Sequence, residues 1–314
     1  MSPKLPSYAS GRWSTSAEDG VAVADAVTGE VVTTVSSSGV DMAGALRHAH
    51  DVGGPALREL TFHQRAGLLK ALVGHLREQR PAFYALSART GATLNDSRFD
   101  VDGGIGVLGA YAGIGTSQLP DDTLLVEGEP LPLSRGGGFV GQHVATPMRG
   151  AAVQVNAFNF PVWGMLEKLA PALLAGVPSI VKPATQTAYL TELVVRSIVE
   201  SDLLPEGALQ FVAGSVGDLL DHLGPQDLLS FTGSAATAKR LRTHPTVVEH
   251  AVRFNAEADS LNCSILGPDA GPGTPEFDLY ADQLVTEMTV KAGQKCGSPG
   301  MSVGHPGDRS WGRS

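Results

Sequence analysis

From Ala151 onward, short apolar β-prone runs alternate with stretches of helical spacing. The runs at 151–155, 179–181, 209–212 and 228–231 predict buried strands, and another is predicted over 247–254. Between them, helices are predicted from about 162 to 175, then over 188–200, 216–223 and 235–241. In the first of these, Val162, Met165, Leu166, Leu169 and Leu173 recur at helical spacing. Pro161 sits where a first turn tolerates a missing donor, and Gly176 stands where a helix C-terminus needs backbone freedom. Such alternation predicts an α/β fold with a doubly wound parallel sheet. In that architecture ligands bind outside the carboxyl ends of the strands, where Asn159 and Lys182 fall.

The first half is less regular. Short β-prone pieces at 21–23 and 31–35 surround the turn Thr28-Gly29. Helices are predicted over 41–50 and 61–79, with a third starting over 81–87. The Gly-rich stretch 89–115 keeps Ile105, Leu108, Tyr111 and Ile114 in spacing and reads as a helix with close neighbours. Residues 124–144 read as a β-hairpin with its tip at 134–138, apolar enough to need a partner. A domain boundary is expected near Asn255, with 262–266 beginning something new and a helix over 278–291.

Composition narrows the classes. The chain has 314 residues, 42% apolar and 18% charged, which suits about two globular domains. A net charge of −9 without a Lys/Arg run argues against nucleic acid and anionic membrane as partners. Two cysteines fit a reducing compartment, and the N-terminus lacks the apolar core of a signal peptide, so a cytoplasmic location is expected. The longest greasy stretch, 162–177, is broken by Glu167, Lys168 and Pro171.

Candidate chemistry is modest when each motif stands alone. In Phe231-Thr232-Gly233-Ser234, a glycine precedes a helix, which suits a pyrophosphate; it equally suits a plain turn with a serine cap. Gly214-Ser215-Val216-Gly217 carries the same two readings. Cys296 follows Lys295, and a free thiol is only about 3% thiolate at neutral pH, so the lysine or a helix dipole would help activate it. The alternative is a buried small hydrophobe, which is also the reading for Cys263 in an apolar strand. Glu257, placed where a strand has ended, reads as a general base or a solvated loop charge. The nine histidines show no metal-ligand spacing, and no Gly-x-Ser-x-Gly elbow is present.

Taken in order, these pieces resemble the aldehyde dehydrogenase superfamily. GQHVATPMRG, NAFNFPVWGMLEKLAPALLAG, KPATQTAYL, PEGALQFVAGSVGDLLDHL, FTGSAATAKRLR, EADSLNC and KAGQKC are similar to its phenylacetate-degradation branch, in which an aldehyde dehydrogenase domain is joined to an enoyl-CoA hydratase. The resemblance runs from about Leu5 to Cys296. It implies a Rossmann-type dinucleotide-binding domain over 1–255, an oligomerisation hairpin at about 123–147, and the start of a catalytic domain over 256–296.

The resemblance also implies roles. Cys296 is the nucleophile toward the aldehyde carbonyl, the Asn159 amide holds the oxyanion, and Glu257 activates the water that hydrolyses the thioester. Lys182 contacts the adenosine ribose, and Phe231, Gly233 and Ser234 belong to the turn at the pyrophosphate. Thr185 stands where many relatives carry a glutamate that repels a 2′-phosphate, so NADP or NAD is the expected cofactor. Retention of Glu257 favours the acid over transfer to coenzyme A. The implied substrate is a small aldehyde, CoA-linked in this branch, and the full-length relative is expected to be a homo-oligomer.

Relatives continue past the cysteine, whereas residues 297–314 are Gly, Ser, Pro and Arg without periodicity. The expectation is an aberrant, disordered tail from a frameshifted or prematurely ended frame, an incomplete catalytic domain, and an inactive fragment. A binding-only dinucleotide module and a CoA-acylating dehydrogenase are the alternatives.

Overall fold

The computed structural model describes residues 3–259 and 262–295. Chain contacts divide it into two units, Met1–Glu257 and Ala258–Ser314. In chain order the first unit opens with five short strands, β1 (Lys4–Leu5), β2 (Ser7–Ala9), β3 (Arg12–Ser14), β4 (Val21–Ala24) and β5 (Val31–Val35). Then come helix α1 (Met42–His48), a π-helical turn, α2 (Gly54–Arg58), α3 (Phe62–Ser87) and α4 (Leu94–Ser117). Strands β6 (Leu125–Pro132) and β7 (Val140–Ala145) follow. The alternating half comprises β8 (Ala152–Val155), α5 (Trp163–Leu174), β9 (Ser179–Lys182), α6 (Ala188–Glu200), β10 (Leu209–Phe211), β11 (Leu228–Gly233), α7 (Ala235–Arg242), α8 (Pro245–Glu249) and β12 (Arg253–Ala258).

The main sheet runs β12-β11-β8-β9-β10-β2-β3. Strands β11, β8, β9 and β10 are parallel, and β2 joins β10 antiparallel with β3 beside it. From β8 the chain winds outward through β9 and β10, then returns to place β11 on the other side of β8. The strand order therefore reverses between β8 and β11, the switch point at which open α/β sheets bind ligands. Three-stranded β1-β5-β4 and the β6-β7 hairpin stand apart from this sheet.

Helices α3, α4, α5 and α6 bury one continuous core against the sheet. Leu69, Leu72 and Leu76 of α3 meet Ile105 and Leu108 of α4, Leu166 and Leu169 of α5, and Ile198 of α6. Each such side chain is worth about 1.5–3 kcal/mol when fully buried. Both long helices start at a capping box, Thr61 with Gln64 and Thr93 with Asp96. The predicted break before Pro81 does not occur: α3 runs through it. The missing proline donor leaves the Arg77 carbonyl open, and the Arg80 Nε fills it at 2.9 Å. At the end of α5, Gly176 takes φ +77° and the buried Arg65 Nε donates to the Leu174 carbonyl at 2.7 Å. Burial brings the Arg65 guanidinium down to about 10.

Three expectations need correction. The helix predicted over 216–223 is only a 3-10 turn, Leu219–His222, because the positive φ of Gly214 and Gly217 keeps the preceding loop non-helical. The strand predicted over 247–254 is split: Pro245 starts the short helix α8, and pairing resumes only at Arg253. Cys263 is exposed and lies in irregular chain, not in a strand.

In the second unit, Thr274 caps α9 (Pro275–Thr289) by accepting from the Phe277 amide. A 3-10 turn, Val290–Gly293, follows. Cys296 and the tail at 297–314 lie outside the described residues. No helix among the described residues is long and apolar enough to cross a membrane.

Candidate active site

The carboxyl ends of β8, β9 and β11 lie side by side, because Phe231 pairs with Val155 and Val155 with Lys182. Lys182 is the last residue of β9 rather than the residue after it. Burial pulls its ammonium below the usual lysine range, and it has no hydrogen-bond or ion-pair partner among the described residues. Thr185 opens the 3-10 turn that leads from β9 into α6.

Beyond β8 the chain turns through Asn156–Pro161 before α5 begins, and Asn159 is half-buried in that turn. Three tethers from other elements hold it. Thr187 Oγ1 donates to the Phe158 carbonyl at 3.3 Å, and Thr191 Oγ1 to the Pro161 carbonyl at 3.2 Å. The buried Asp100 carboxylate accepts the Trp163 amide at 2.8 Å and the Val162 amide at 3.3 Å. A negative charge at a helix start meets both the open donors and the macrodipole. Phe99, Phe160 and Trp163 pack edge to face around the same turn at 5.4–5.9 Å.

At the end of β11, Gly233 has no room for a side chain: an added Cβ would come within 2.6 Å of the Phe231 ring. Ser234 is the N-cap of α7 and accepts from the Thr237 amide at 3.3 Å. The capping reading of this motif is therefore realised, and the exposed helix start still presents the positive end of its dipole. Gly214 and Gly217 precede no such helix.

Glu257 does not follow the end of a strand; it lies within β12. It faces a cavity of about 690 Å³ with Asn255, Gln154, Ser230, Phe231, Thr232, Glu167 and Lys168, walled also by Tyr111 and Trp163. In the sequence Lys168 is only a charge interrupting a greasy stretch. Its amine donates to the Gly164 carbonyl at 3.2 Å and lies 3.5 Å from Glu167. Burial lowers its pKa, while Glu167 and then Glu257 pull the other way. A lysine three residues beyond Met165 on a buried helix was the available signal. Lys295, one of the two aids to Cys296 that the sequence offers beside a helix dipole, forms an ion pair with Glu287 at 2.7 Å, and Cys296 itself lies outside the described residues.

The chain belongs to the aldehyde dehydrogenase family, whose model matches residues 13–303. It is 51% identical over 294 residues to a 3,4-dehydroadipyl-CoA semialdehyde dehydrogenase of Aromatoleum evansii, covering 93% of this chain and 57% of that protein. Among solved structures, betaine aldehyde dehydrogenase of Staphylococcus aureus in complex with NAD+ matches with a TM-score of 0.79 at 25% identity, over 94% of this chain and 57% of that one. A putative aldehyde dehydrogenase from Burkholderia cenocepacia matches with a TM-score of 0.78 at 25% identity, over 93% and 59%. The chain thus spans a little over half the length of the relatives it matches.

Proposed function

We propose that the protein serves NAD(P)-dependent oxidation of an aldehyde to its acid through a thioester on Cys296, the aldehyde being a CoA-linked semialdehyde. The observation that carries this reading is the convergence of three strand ends at the sheet's switch point, with Glu257 facing the adjoining cavity. A nicotinamide dinucleotide fits the residues present. Lys182 is a cation without a partner among the described residues, and Gly233 leaves a cradle that any side chain would fill.

Lys182 and Thr185 would hold the adenosine ribose, and the absence of a carboxylate at 185 admits a 2′-phosphate. Gly233 and Ser234 would hold the pyrophosphate at the start of α7. When bound, this cofactor supplies the hydride acceptor. Cys296 attacks the carbonyl as thiolate, and the Asn159 amide with the Cys296 backbone N–H donates to the developing oxyanion. Glu257 takes a proton from water as its oxygen attacks the thioester. Self-association through the β6-β7 hairpin fits the exposure of Val126, Leu131, Phe139, Val140 and Val144.

Titration calorimetry of NADP and NAD into the chain, followed by absorbance of the reduced cofactor with a semialdehyde, tests the reading. Saturable binding abolished by Lys182→Ala supports it, and no binding of either dinucleotide sinks it. Turnover that requires free coenzyme A would move the assignment to the acylating class.

A further inference from the structure

The carboxyl edge of the main sheet holds the candidate active site; its amino edge gathers positive charge. Arg149 is exposed and stands just before β8. Asp227 directly precedes β11, and its Oδ1 accepts the Ala151 amide at 2.7 Å. The π-helical turn Ala49–Gly53 is tied to this same edge, because His50 Nε2 donates to Asp227 Oδ1 at 2.7 Å. Arg58, half-buried, ends α2 right after that turn. Arg253 is exposed at the start of β12, and its Nη1 donates to Met148 Sδ at 3.1 Å, one residue from Arg149. Three arginines from separate parts of the chain therefore come together at one sheet edge.

Little there neutralises them. Asp227 is 1% exposed, and its Oδ2 is taken by the Gly224 amide at 2.7 Å while its Oδ1 serves Ala151 and His50. Asp51 is exposed and acts on His50. Beneath the edge, fully buried Arg65 gives its guanidinium to the Leu57, Leu60 and Leu174 carbonyls rather than to a carboxylate. Among the described residues, Arg58, Arg149 and Arg253 have no ion-pair partner. Burial and then the charge of Arg149 lower the pKa of the Arg58 guanidinium, so these two cations feel each other. The whole chain carries −9, yet this edge is locally positive. An anion between two like charges relieves their repulsion. Guanidinium forks match phosphate oxygens, and a phosphate dianion balances two of them where a single carboxylate balances one.

We propose that Arg149 and Arg58, flanked by Arg253, bind a phosphate group at the amino edge of the sheet, a site separate from that of the dinucleotide at the carboxyl edge. Two sources carry this chemistry. One is inorganic phosphate; the other is the 3′-phosphate of coenzyme A, which the substrate of the proposed function would bring. The site stands on the arginines alone, and only the second source rests on that function.

Titration calorimetry of the full chain at low ionic strength, in a buffer free of phosphate, tests the site with inorganic phosphate, coenzyme A and dephospho-coenzyme A as probes. The expected result is saturable binding of inorganic phosphate, weakened by at least about tenfold in Arg149→Gln and held in Lys182→Ala. Arg149 is exposed, so its replacement should leave the melting temperature unchanged, and the exposed Arg253→Gln gives a second variant with a smaller loss. Coenzyme A binding that depends on both Arg149 and the 3′-phosphate supports the substrate as source. Equal binding of coenzyme A and its dephospho form, with phosphate still bound at Arg149, supports inorganic phosphate as source. No saturable phosphate binding, or equal binding by the parent and Arg149→Gln, overturns the site. Phosphate binding that is lost in Lys182→Ala overturns it too, because the probe then sits at the dinucleotide edge. Absence of NADP and NAD binding beside retained phosphate binding fails the proposed function and leaves the site supported.

Discussion

Asp100 of α4 and Trp163 of α5 are joined by a carboxylate-to-amide hydrogen bond of 2.8 Å, buried to within 1% of full exclusion at the acid. Through it one helix fixes where the next begins, and with it the turn that carries Asn159. Replacing Asp100 by Ala removes acceptors from two backbone amides. Hydrogen bonds to a charged group contribute about 1.5–3 kcal/mol, so Asp100→Ala is expected to lose about that much stability in urea unfolding, and Asp100→Asn less. An Ala variant within about 0.5 kcal/mol of the parent would refute the clamp.

Lys182→Ala should weaken cofactor binding by about ten- to a hundredfold, the worth of a charge-assisted hydrogen bond. Because burial already lowers the Lys182 pKa, the ammonium is lost below its usual titration range. Affinity should therefore fall as pH rises through that lowered value, and the variant's affinity should be flat there. Calorimetry across pH 7–10 reads both; a parallel decline in the two proteins would refute the assignment.

Thr185→Glu restores a carboxylate where a 2′-phosphate would lie. Like-charge repulsion should cost NADP at least about tenfold in affinity while NAD is held or gains. Equal losses for both dinucleotides would place Thr185 away from the ribose.

His50 donates to the buried Asp227 at 2.7 Å, and that hydrogen bond raises the imidazole pKa against the opposing effect of burial. A folded pKa above the unfolded value stabilises the protonated state. The contribution is complete below about pH 6.5 and disappears as pH climbs through the raised folded pKa. The melting-temperature gap between the parent and His50→Gln should be widest at pH 5.5–6 and narrow by pH 9. A constant gap would mean that the pair contributes through neutral contacts only.

Gly103 lies where α4 meets the Trp163 ring: an added Cβ would stand 2.2 Å from two ring carbons. Gly103→Ala should cost about 1–3 kcal/mol by overpacking and shift the tryptophan emission. Unchanged stability and emission would show that the ring moves freely.

The alternating half was legible because short β-prone runs such as β8, β9 and β11 alternate with stretches of helical spacing. Where turn chemistry competes with periodicity, the reading slipped: Gly214 and Gly217 dissolved a helix, and Pro245 began one inside a supposed strand. The opening strands β1 to β3 are two or three residues each, too short for any period to register. Sequence order singles out Lys182 and the Phe-Thr-Gly-Ser turn, but not Gln154, Ser230 and Lys168, which only tertiary packing brings to one cavity.

The sheet is closed by its earliest residues. Ser10 donates its amide to Gln210, and Ala213 to Ser7, across about two hundred positions. On the ribosome, β2 emerges long before β10 exists to receive it, and loop closure of that span is slow. The β2–β3 pair therefore presents an unmatched edge until β10 is made.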